Sequence, residues 1–390
     1  MGEQERAVVI SGRAETRLRA GYFWVFSGDV VNAHEVENGA IVQVRNRRGD
    51  LLGYALYSQH SNITLRWIAD RRACIDRAFW RQRLLAADAL RQQVVSDTDA
   101  FRLVFGESDL LPSLIIDRYG RCFVIQTLTP GMDALKSLWV DLLVELYQPS
   151  AVIERNDVKA RQLEGLPLEK GILSGSAPEN VEVTINGIRF RVDLLGGQKT
   201  GTFLDQRENY RAARRWARGR GLDGFCYTGG FALHLASSCQ SVVAVDISTE
   251  ALDQGKRNAA LNGIEHIEFV KANVFDFLRD RVRAGDRFDI IVLDPPAFAK
   301  SRAALEGAIR GYKEINLRAL RLLAPGGILV TCSCSYHLSE SMFLDILRAA
   351  AADTHRRVRL LEKRTQARDH PILLSMPETH YLKCVILQVM

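Results

Sequence analysis

Beyond residue 205 the chain alternates short apolar runs with segments whose apolar residues recur every three or four positions. RGLDGFCY, SVVAVD, IEFVKAN, FDIIVLD and GILVTCSCS read as strands. Between them FALHLASS, EALDQGKRNAALNG, VFDFLRDRV and GYKEINLRALRLL read as helices, and one more helix is expected over 206–218. Strand–helix alternation predicts an open parallel sheet covered by helices on both faces. A hairpin, VEVTINGIRFRVDLL, leads into this region.

The first half follows a different rhythm. AIVQVRNRRGDLLGYALYS reads as a hairpin with Arg48-Gly49-Asp50 in its turn, and NITLRWI as a further strand. Ahead of them RAETRLRAGYFWVFSGDV is a basic stretch followed by aromatics. From Asp76 to Val95 the spacing turns helical. FRLVFGESDLLPSLIIDRYG and RCFVIQTL then read as loop, strand, turn and strand, followed by a helix over 133–147 and the strand AVIERND. The expected organisation is a small β-rich unit over 1–75, a compact α+β domain over 76–180 and an α/β domain over 181–390. No internal repeat or low-complexity segment stands out.

Composition narrows this little. A chain of 390 residues suits two or three domains, and 47% apolar residues supports sizeable cores. No run approaches the roughly 18 apolar residues of a membrane span. The opening MGEQERAVVISGRA lacks the apolar stretch of a secretory signal, so the cytoplasm is the expected compartment. Seven cysteines are scattered without a CxxC pair, which predicts neither a disulfide framework nor a metal site. The net charge of +6 permits a polyanionic partner without demanding one. The first lysine is Lys136; codon bias is the plainer account of the arginines before it, although guanidinium groups also suit phosphate.

Open α/β sheets bind ligands at the carboxyl ends of their strands. Four loops at that edge carry unusual residues. In DGFCYTGGF, Gly229 and Gly230 stand where a strand becomes a helix and let backbone approach a ligand closely. With neither GxGxxG nor GxxxxGK[ST] present, a pyrophosphate cradle is not supported. Asp246 ends the next strand, where a carboxylate accepts from ribose hydroxyls. Asn273 ends the third, placed either to meet an adenine edge or to cap the helix after it. The most specific signal is IIVLDPPAF. Pro295 and Pro296 stiffen the loop that carries Asp294, and Phe298 is expected to stack on a planar base. An Asp-Pro-Pro-aromatic run is shared by methyltransferases that act on nucleobases.

LVTCSCSYH ends a later strand of the same sheet, so Cys334 is expected at the same edge as Asp294. Most free cysteines are small buried hydrophobes. Behind DPPAF another chemistry fits better. Cytosine is not nucleophilic at C5; a thiolate adding to C6 makes C5 enamine-like, and an acid at N3 stabilises the adduct. Cys334 and Asp294 supply that pair. Cys332 and Cys226 keep the packing reading.

Together these stretches resemble the bacterial 23S rRNA cytosine-C5 methyltransferases of the RlmI type, which use S-adenosylmethionine. The likeness spans nearly the whole chain: RAGYFWVFSGDV, GESDLLPSLIIDRYG, AVIERNDVKARQLEGL, QKTGTFLDQREN, DGFCYTGGF, DPPAFAKSR, RGYKEINLRAL, the S-C-S of Ser333–Ser335 and DHPILLSMPETHYLK. It implies an N-terminal PUA-like β-barrel, a central α+β domain and a C-terminal Rossmann-like class I methyltransferase domain. It also implies cofactor contacts from Lys199, Thr200, Asp205, Gln206, Arg207, Tyr227, Thr228, Gly229, Asp246 and Asp294, with Cys334 as nucleophile. Relatives usually carry Asp where this chain has Asn273; an Asn oxygen can still accept from the adenine amino group, with weaker or rearranged binding expected. The PUA-like portion makes Arg17, Arg19, Arg47 and Arg48 candidates for phosphate contact, though a solvated basic face remains the plainer reading of each. The implied partner is 23S rRNA, with no membrane, and a homodimer is left open. Two rivals remain: methylation of an exocyclic amine or guanine N7, and a non-catalytic RNA-binding or assembly factor.

Overall fold

The computed structural model describes residues 6–33, 36–299 and 301–390. Backbone contacts divide them into two compact units.

The first unit comprises the described part of Met1–Val183 together with Val192–Leu204 and Arg368–Thr379. It holds two larger sheets. One has six strands, in the order Trp24–Phe26, Ile63–Asp70, Leu51–Tyr57, Ile41–Arg45, Ala7–Ile10 and Val30–Asn32. The expected hairpin is there, with Gly49 supplying the left-handed turn residue at φ +90°. The basic stretch ahead of it forms a helix, Gly12–Arg19, capped by the Ser11 side chain. Its pattern was silent because Ala14 is its one buried residue. The second sheet runs Lys170–Gly175, Ala151–Arg155, Cys122–Thr127, Leu114–Tyr119 and Ala100–Phe105. FRLVF, expected in a loop, lies in the last of these strands and pairs antiparallel with Leu114–Tyr119. The helices Arg77–Val94 and Lys136–Tyr147 bury Trp80, Leu84, Trp139 and Leu142 in one core with Ile116, Phe123 and Ile125. The expectation of separate domains parted near residue 75 thus meets one unit that contains both sheets.

The second unit comprises Thr184–Arg191, Asp205–Ala367 and His380–Met390. Its strands are β1 (Arg220–Gly224), β2 (Ser241–Asp246), β3 (Ile267–Lys271), β4 (Phe288–Leu293), β5 (Leu323–Ser333), β6 (Val358–Arg364) and β7 (Lys383–Val389). Its longer helices are α1 (Arg207–Trp216), α2 (Gly230–Ala236), α3 (Thr249–Leu261), α4 (Val274–Ala284), α5 (Leu305–Leu322) and α6 (Glu340–Asp353). The sheet order is β3-β2-β1-β4-β5-β7-β6. The first five strands are parallel, and β7 runs antiparallel to both β5 and β6. β1 and β4 are continuous in the core because helices cover both faces, and Leu222, Ile291, Leu293, Leu329, Tyr312 and Phe343 share one cluster. Order reverses beside β1, which places the binding crevice at its carboxyl end. Among the described residues no helix is long and apolar enough to cross a membrane.

Candidate active site

The loop after β1 is held in an uncommon backbone. Phe225 and Tyr227 have φ of +68° and +50°, and Gly229 has +87°. Non-glycine residues in that region cost on the order of 1–3 kcal/mol each, so other contacts must hold them. Two are visible: the Phe225 and Cys226 N–H groups both donate to the Val245 carbonyl. The Tyr227 N–H donates to Asp246 Oδ2 at 2.9 Å, and the Ser248 N–H to Asp246 Oδ1 at 3.0 Å. Each carboxylate oxygen keeps a lone pair for a ligand hydroxyl. Ile247, next along, is 67% exposed. An open apolar side chain beside an anchored carboxylate suits a purine face beside a ribose. No sequence reading singled it out, although an apolar residue directly after a strand-end acid was the available signal.

Beneath this loop sits a second acid the sequence reading passed over. Asp223 is fully buried, and its Oδ2 accepts from the Ala232 N–H at 2.8 Å, pinning the start of α2. Burial, and then the charges of Asp294 and Asp246, push its carboxyl well above the usual range. Such an acid binds a proton in the folded state that the unfolded chain releases, so its contribution to stability is complete below the unfolded pKa and is lost as pH rises toward the folded one. Asp223→Asn keeps the acceptor and removes the titration. We expect urea unfolding of this variant to lose less stability than the parent as pH rises above the ordinary carboxyl range.

Asn273 caps α4: its Oδ1 accepts from the Phe275 N–H at 2.9 Å. Of the two placings expected for it, the cap is the one these bonds show, and the oxygen keeps a second lone pair.

At the edge of β4, the Asp294 N–H lies 3.4 Å from the Gly224 carbonyl, and Asp294 is half-buried. Pro295 is buried and Pro296 exposed. Phe298 is half-buried; its ring packs 4.6 Å from Tyr312, 5.9 Å from Phe275 and 6.4 Å from Phe225, centroid to centroid, so it braces the loop against the core.

β5 ends at Ser333, so Cys334 stands just past it. The two flanking serines turn the same way. Ser333 Oγ donates to the Tyr312 hydroxyl at 2.9 Å, and Ser335 Oγ lies 3.0 Å from that hydroxyl while accepting from the Ala299 N–H at 3.2 Å. Alternation along extended chain then sends Cys334 the other way. It is half-buried, and its sulfur lies 3.9 Å from the Pro295 carbonyl oxygen. Cys332 is fully buried, and its thiol is pushed well up by burial and by Cys384. The loop bearing Asp294 and the strand end bearing Cys334 therefore meet.

Asp205, Gln206 and Arg207 form the turn into α1 and are almost wholly buried. Asp205 Oδ2 accepts from the Tyr381 hydroxyl at 2.7 Å, and Gln206 Oε1 from the Asn209 amide at 2.7 Å. The Arg207 carbonyl accepts from Asn186 at 2.7 Å. Asn186 and Gly187, both at positive φ, form the turn of the expected hairpin. The Thr228 carbonyl faces the Asn258 amide at 3.3 Å. Lys199 and Thr200 belong to the first unit. There the Thr200 hydroxyl donates to Asp117 at 2.6 Å beside the Tyr119 hydroxyl, and the Lys199 ammonium sits 4.3 Å from the centre of the Phe203 ring. Of the basic candidates, Arg17 pairs with Asp29 at 3.5 Å and stacks over Tyr22, and Arg19 pairs with Glu15 at 2.8 Å. Arg47 and Arg48 are exposed in their hairpin turn, without an ion pair among the described residues.

A parallel α/β sheet ending in an antiparallel seventh strand, with a glycine turn after β1 and an acid after β2, defines an S-adenosylmethionine-dependent methyltransferase. Comparison with known proteins agrees. Residues 168–371 match the S-adenosylmethionine-dependent methyltransferase family and residues 8–70 a PUA-like domain. "Ribosomal RNA large subunit methyltransferase I" of Photobacterium profundum is 42% identical over 96% of this chain and 97% of its own length. The protein of that name from Klebsiella pneumoniae is 40% identical over 99% and 98%. A SAM-dependent methyltransferase from Streptococcus mutans, 20% identical, superimposes with a TM-score of 0.83 over 98% of this chain and 100% of its own. A methyltransferase complexed with SAH gives 0.84 at 20% identity. The chain belongs to the ribosomal RNA large subunit methyltransferase I family, and its cofactor is S-adenosylmethionine. The Asp246 carboxylate, the exposed Ile247 and the Gly229 turn fit that group: they offer ribose acceptors, an apolar purine surface and close backbone, without a phosphate cradle.

Proposed function

We propose that the protein methylates C5 of a cytosine in 23S rRNA through a covalent adduct at Cys334. The relatives' names speak of large-subunit ribosomal RNA. The observation that carries the cytosine-C5 reading is the half-buried Cys334 sulfur, 3.9 Å from the carbonyl of the residue that follows Asp294. A thiol and a carboxyl at one strand edge suit a single pyrimidine.

In this reading the Cys334 thiolate adds to C6, and the electrons of the C5–C6 double bond move into the ring. Asp294 donates to N3 and takes up the charge that develops there. S-adenosylmethionine, when bound, would supply the electrophilic methyl that C5 takes up, its sulfonium S–CH3 bond breaking to leave S-adenosylhomocysteine. A base then removes the C5 proton, the C5–C6 double bond re-forms, and the C6–S bond breaks to return the thiolate. Asp246, Tyr227, Thr228 and Gly229 hold the cofactor beside the target, with Asn273 at its adenine end. Lys199, Thr200, Asp205, Gln206 and Arg207 are further cofactor residues on the strength of the resemblance. Arg47 and Arg48 meet RNA phosphate, and Arg17 and Arg19 are further candidates for such contact. The target base must leave its stack to reach such an edge.

The test is mass mapping of methylated nucleotides in 23S rRNA from a strain lacking this gene. One 5-methylcytosine is expected to vanish and to return on complementation. A methyl lost instead from an exocyclic amine or from guanine N7 would refute the proposal.

A further inference from the structure

Two turns of the six-stranded sheet are built alike and carry the same pair of residues. In the first, over 46–50, Asn46 Oδ1 accepts from the Arg48 N–H at 2.9 Å and from the Asp50 N–H at 3.0 Å. In the second, over 70–73, Asp70 Oδ1 accepts from the Arg72 N–H at 2.9 Å. A side-chain oxygen thus closes each turn onto the backbone two residues on. Each turn sets an Arg-Arg pair outward: Arg47, Arg48, Arg71 and Arg72 are all exposed. The register brings the two pairs together. Leu51–Tyr57 lies between Ile41–Arg45 and Ile63–Asp70, with Arg45 opposite Leu51 and Asp70 opposite Gly53. Adjacent strands lie about 4.8 Å apart, so the two turns are neighbours at one end of the sheet.

We propose that Arg47-Arg48 and Arg71-Arg72 form one grip on the phosphate backbone of the RNA substrate, holding it by charge and not by sequence. This deepens the reading above and rests on its RNA substrate, not on the cytosine-C5 chemistry. The PUA-like match ends at residue 70, so the second pair stands just outside it. Guanidinium groups present forked donors that fit phosphate oxygens. An RNA backbone offers such oxygens in a row, and neutralising them releases counter-ions.

The balance of charge favours that occupant. Among the described residues none of the four guanidinium groups forms an ion pair or a side-chain hydrogen bond. By contrast Arg13 and Arg17 pair with Asp29 at 2.9 and 3.5 Å, Arg19 with Glu15 at 2.8 Å, and Arg66 with Glu164 at 2.7 Å. Two carboxylates, Asp50 and Asp70, belong to the same turns. Asp50 Oδ2 accepts from the Asn46 amide at 3.0 Å, and Asp70 holds its own turn. Four guanidinium groups against two carboxylates leave this end positive. Codon usage accounts for arginine in place of lysine; it does not account for two pairs on matched turns side by side. Asn46, whose amide could read a base edge, is buried and engaged inside its turn. Phosphate contacts of this kind position a nucleic acid without reading it.

The experiment is filter binding of the full-length protein, across salt concentrations, to protein-free 23S rRNA and to an RNA duplex of unrelated sequence. With Arg47→Gln, Arg48→Gln, Arg71→Gln and Arg72→Gln combined, the slope of log affinity against log salt is expected to shrink by about 3, since each phosphate contact adds roughly 0.7–0.9. The loss should be alike on both RNAs, and either pair alone should remove about half of it. Arginine-to-lysine changes at the same four positions keep the charge and should retain most of the slope. All four side chains are exposed, so the urea midpoint should hardly move, which reports an intact fold. A parent that binds RNA with a slope the four glutamines leave unchanged overturns the proposal and leaves the rRNA substrate standing. A loss confined to 23S rRNA overturns it as well, because the turns would then read sequence. Loss of binding to phosphatidylserine vesicles with an unchanged RNA slope would assign the surface to lipid instead. A parent that binds neither RNA fails the rRNA reading together with this one.

Discussion

Cys334→Ala is expected to lose methyl transfer by about three orders of magnitude or more, the scale seen when a covalent nucleophile is removed. The reason is electronic. Without addition at C6, cytosine C5 has no electron pair to offer, and no other group at this edge replaces the sulfur: Cys332 is fully buried behind it. The substitution removes one half-buried atom from a turn that Ser333, Ser335 and Tyr312 hold independently. Affinity for S-adenosylmethionine by calorimetry should therefore stay within about twofold, which separates lost chemistry from lost folding. RNA carrying 5-fluorocytosine at the target gives a second readout. With no C5 proton to remove, elimination stalls, and the parent protein should form a stable protein–RNA species that Cys334→Ala does not. Methylation at the parent rate in Cys334→Ala would remove the covalent mechanism and leave methyl transfer to another position of the base.

How far this site was legible depended on what local pattern encodes. Strand–helix alternation exposed β1 to β5, and the strand ends then pointed to Asp246, Asn273, Asp294 and Cys334 before any coordinates. The Asp-Pro-Pro run was readable because proline restricts backbone whatever surrounds it. Partnership was not readable. The ring contacts of Phe298 were hidden because its neighbours Tyr312, Phe275 and Phe225 come from elsewhere in the chain. For Asn273 the sequence left cap and adenine edge open, and only the hydrogen bond to the Phe275 N–H shows the cap.

The serines of S-C-S carry no signal alone. Their meaning comes from Tyr312 on α5, which draws both inward and sends the cysteine out. α6, β6 and β7 went unread, although KCVILQV is an apolar run of strand length. That omission hid the register pair of Lys383 with Ser333, in which an antiparallel last strand sets its first residue beside the last residue of β5. The helix Gly12–Arg19 was missed for the converse reason: it buries too little to leave a stripe.

Asp294→Asn is expected to slow methyl transfer by about 10²–10⁴, the range for a positioned acid, with little change in folding. The substitution is nearly isosteric. The backbone that aims the side chain is unchanged, since the β4 loop is stiffened by Pro295 and Pro296 and braced by Phe298 against Tyr312. What is lost is the capacity to hand a proton to N3 as charge develops there. An Asn amide can still donate a hydrogen bond, so the loss should be smaller than for Cys334→Ala. The adduct with 5-fluorocytosine RNA should form slowly instead of not at all. Single-turnover rates measured across pH decide the point. If Asp294 works as an acid, the parent profile should show a limb that falls as the carboxyl ionises, and that limb should be absent in Asp294→Asn. A variant that keeps both the parent rate and the parent profile would show that Asp294 only shapes the loop, and N3 would then need a different partner.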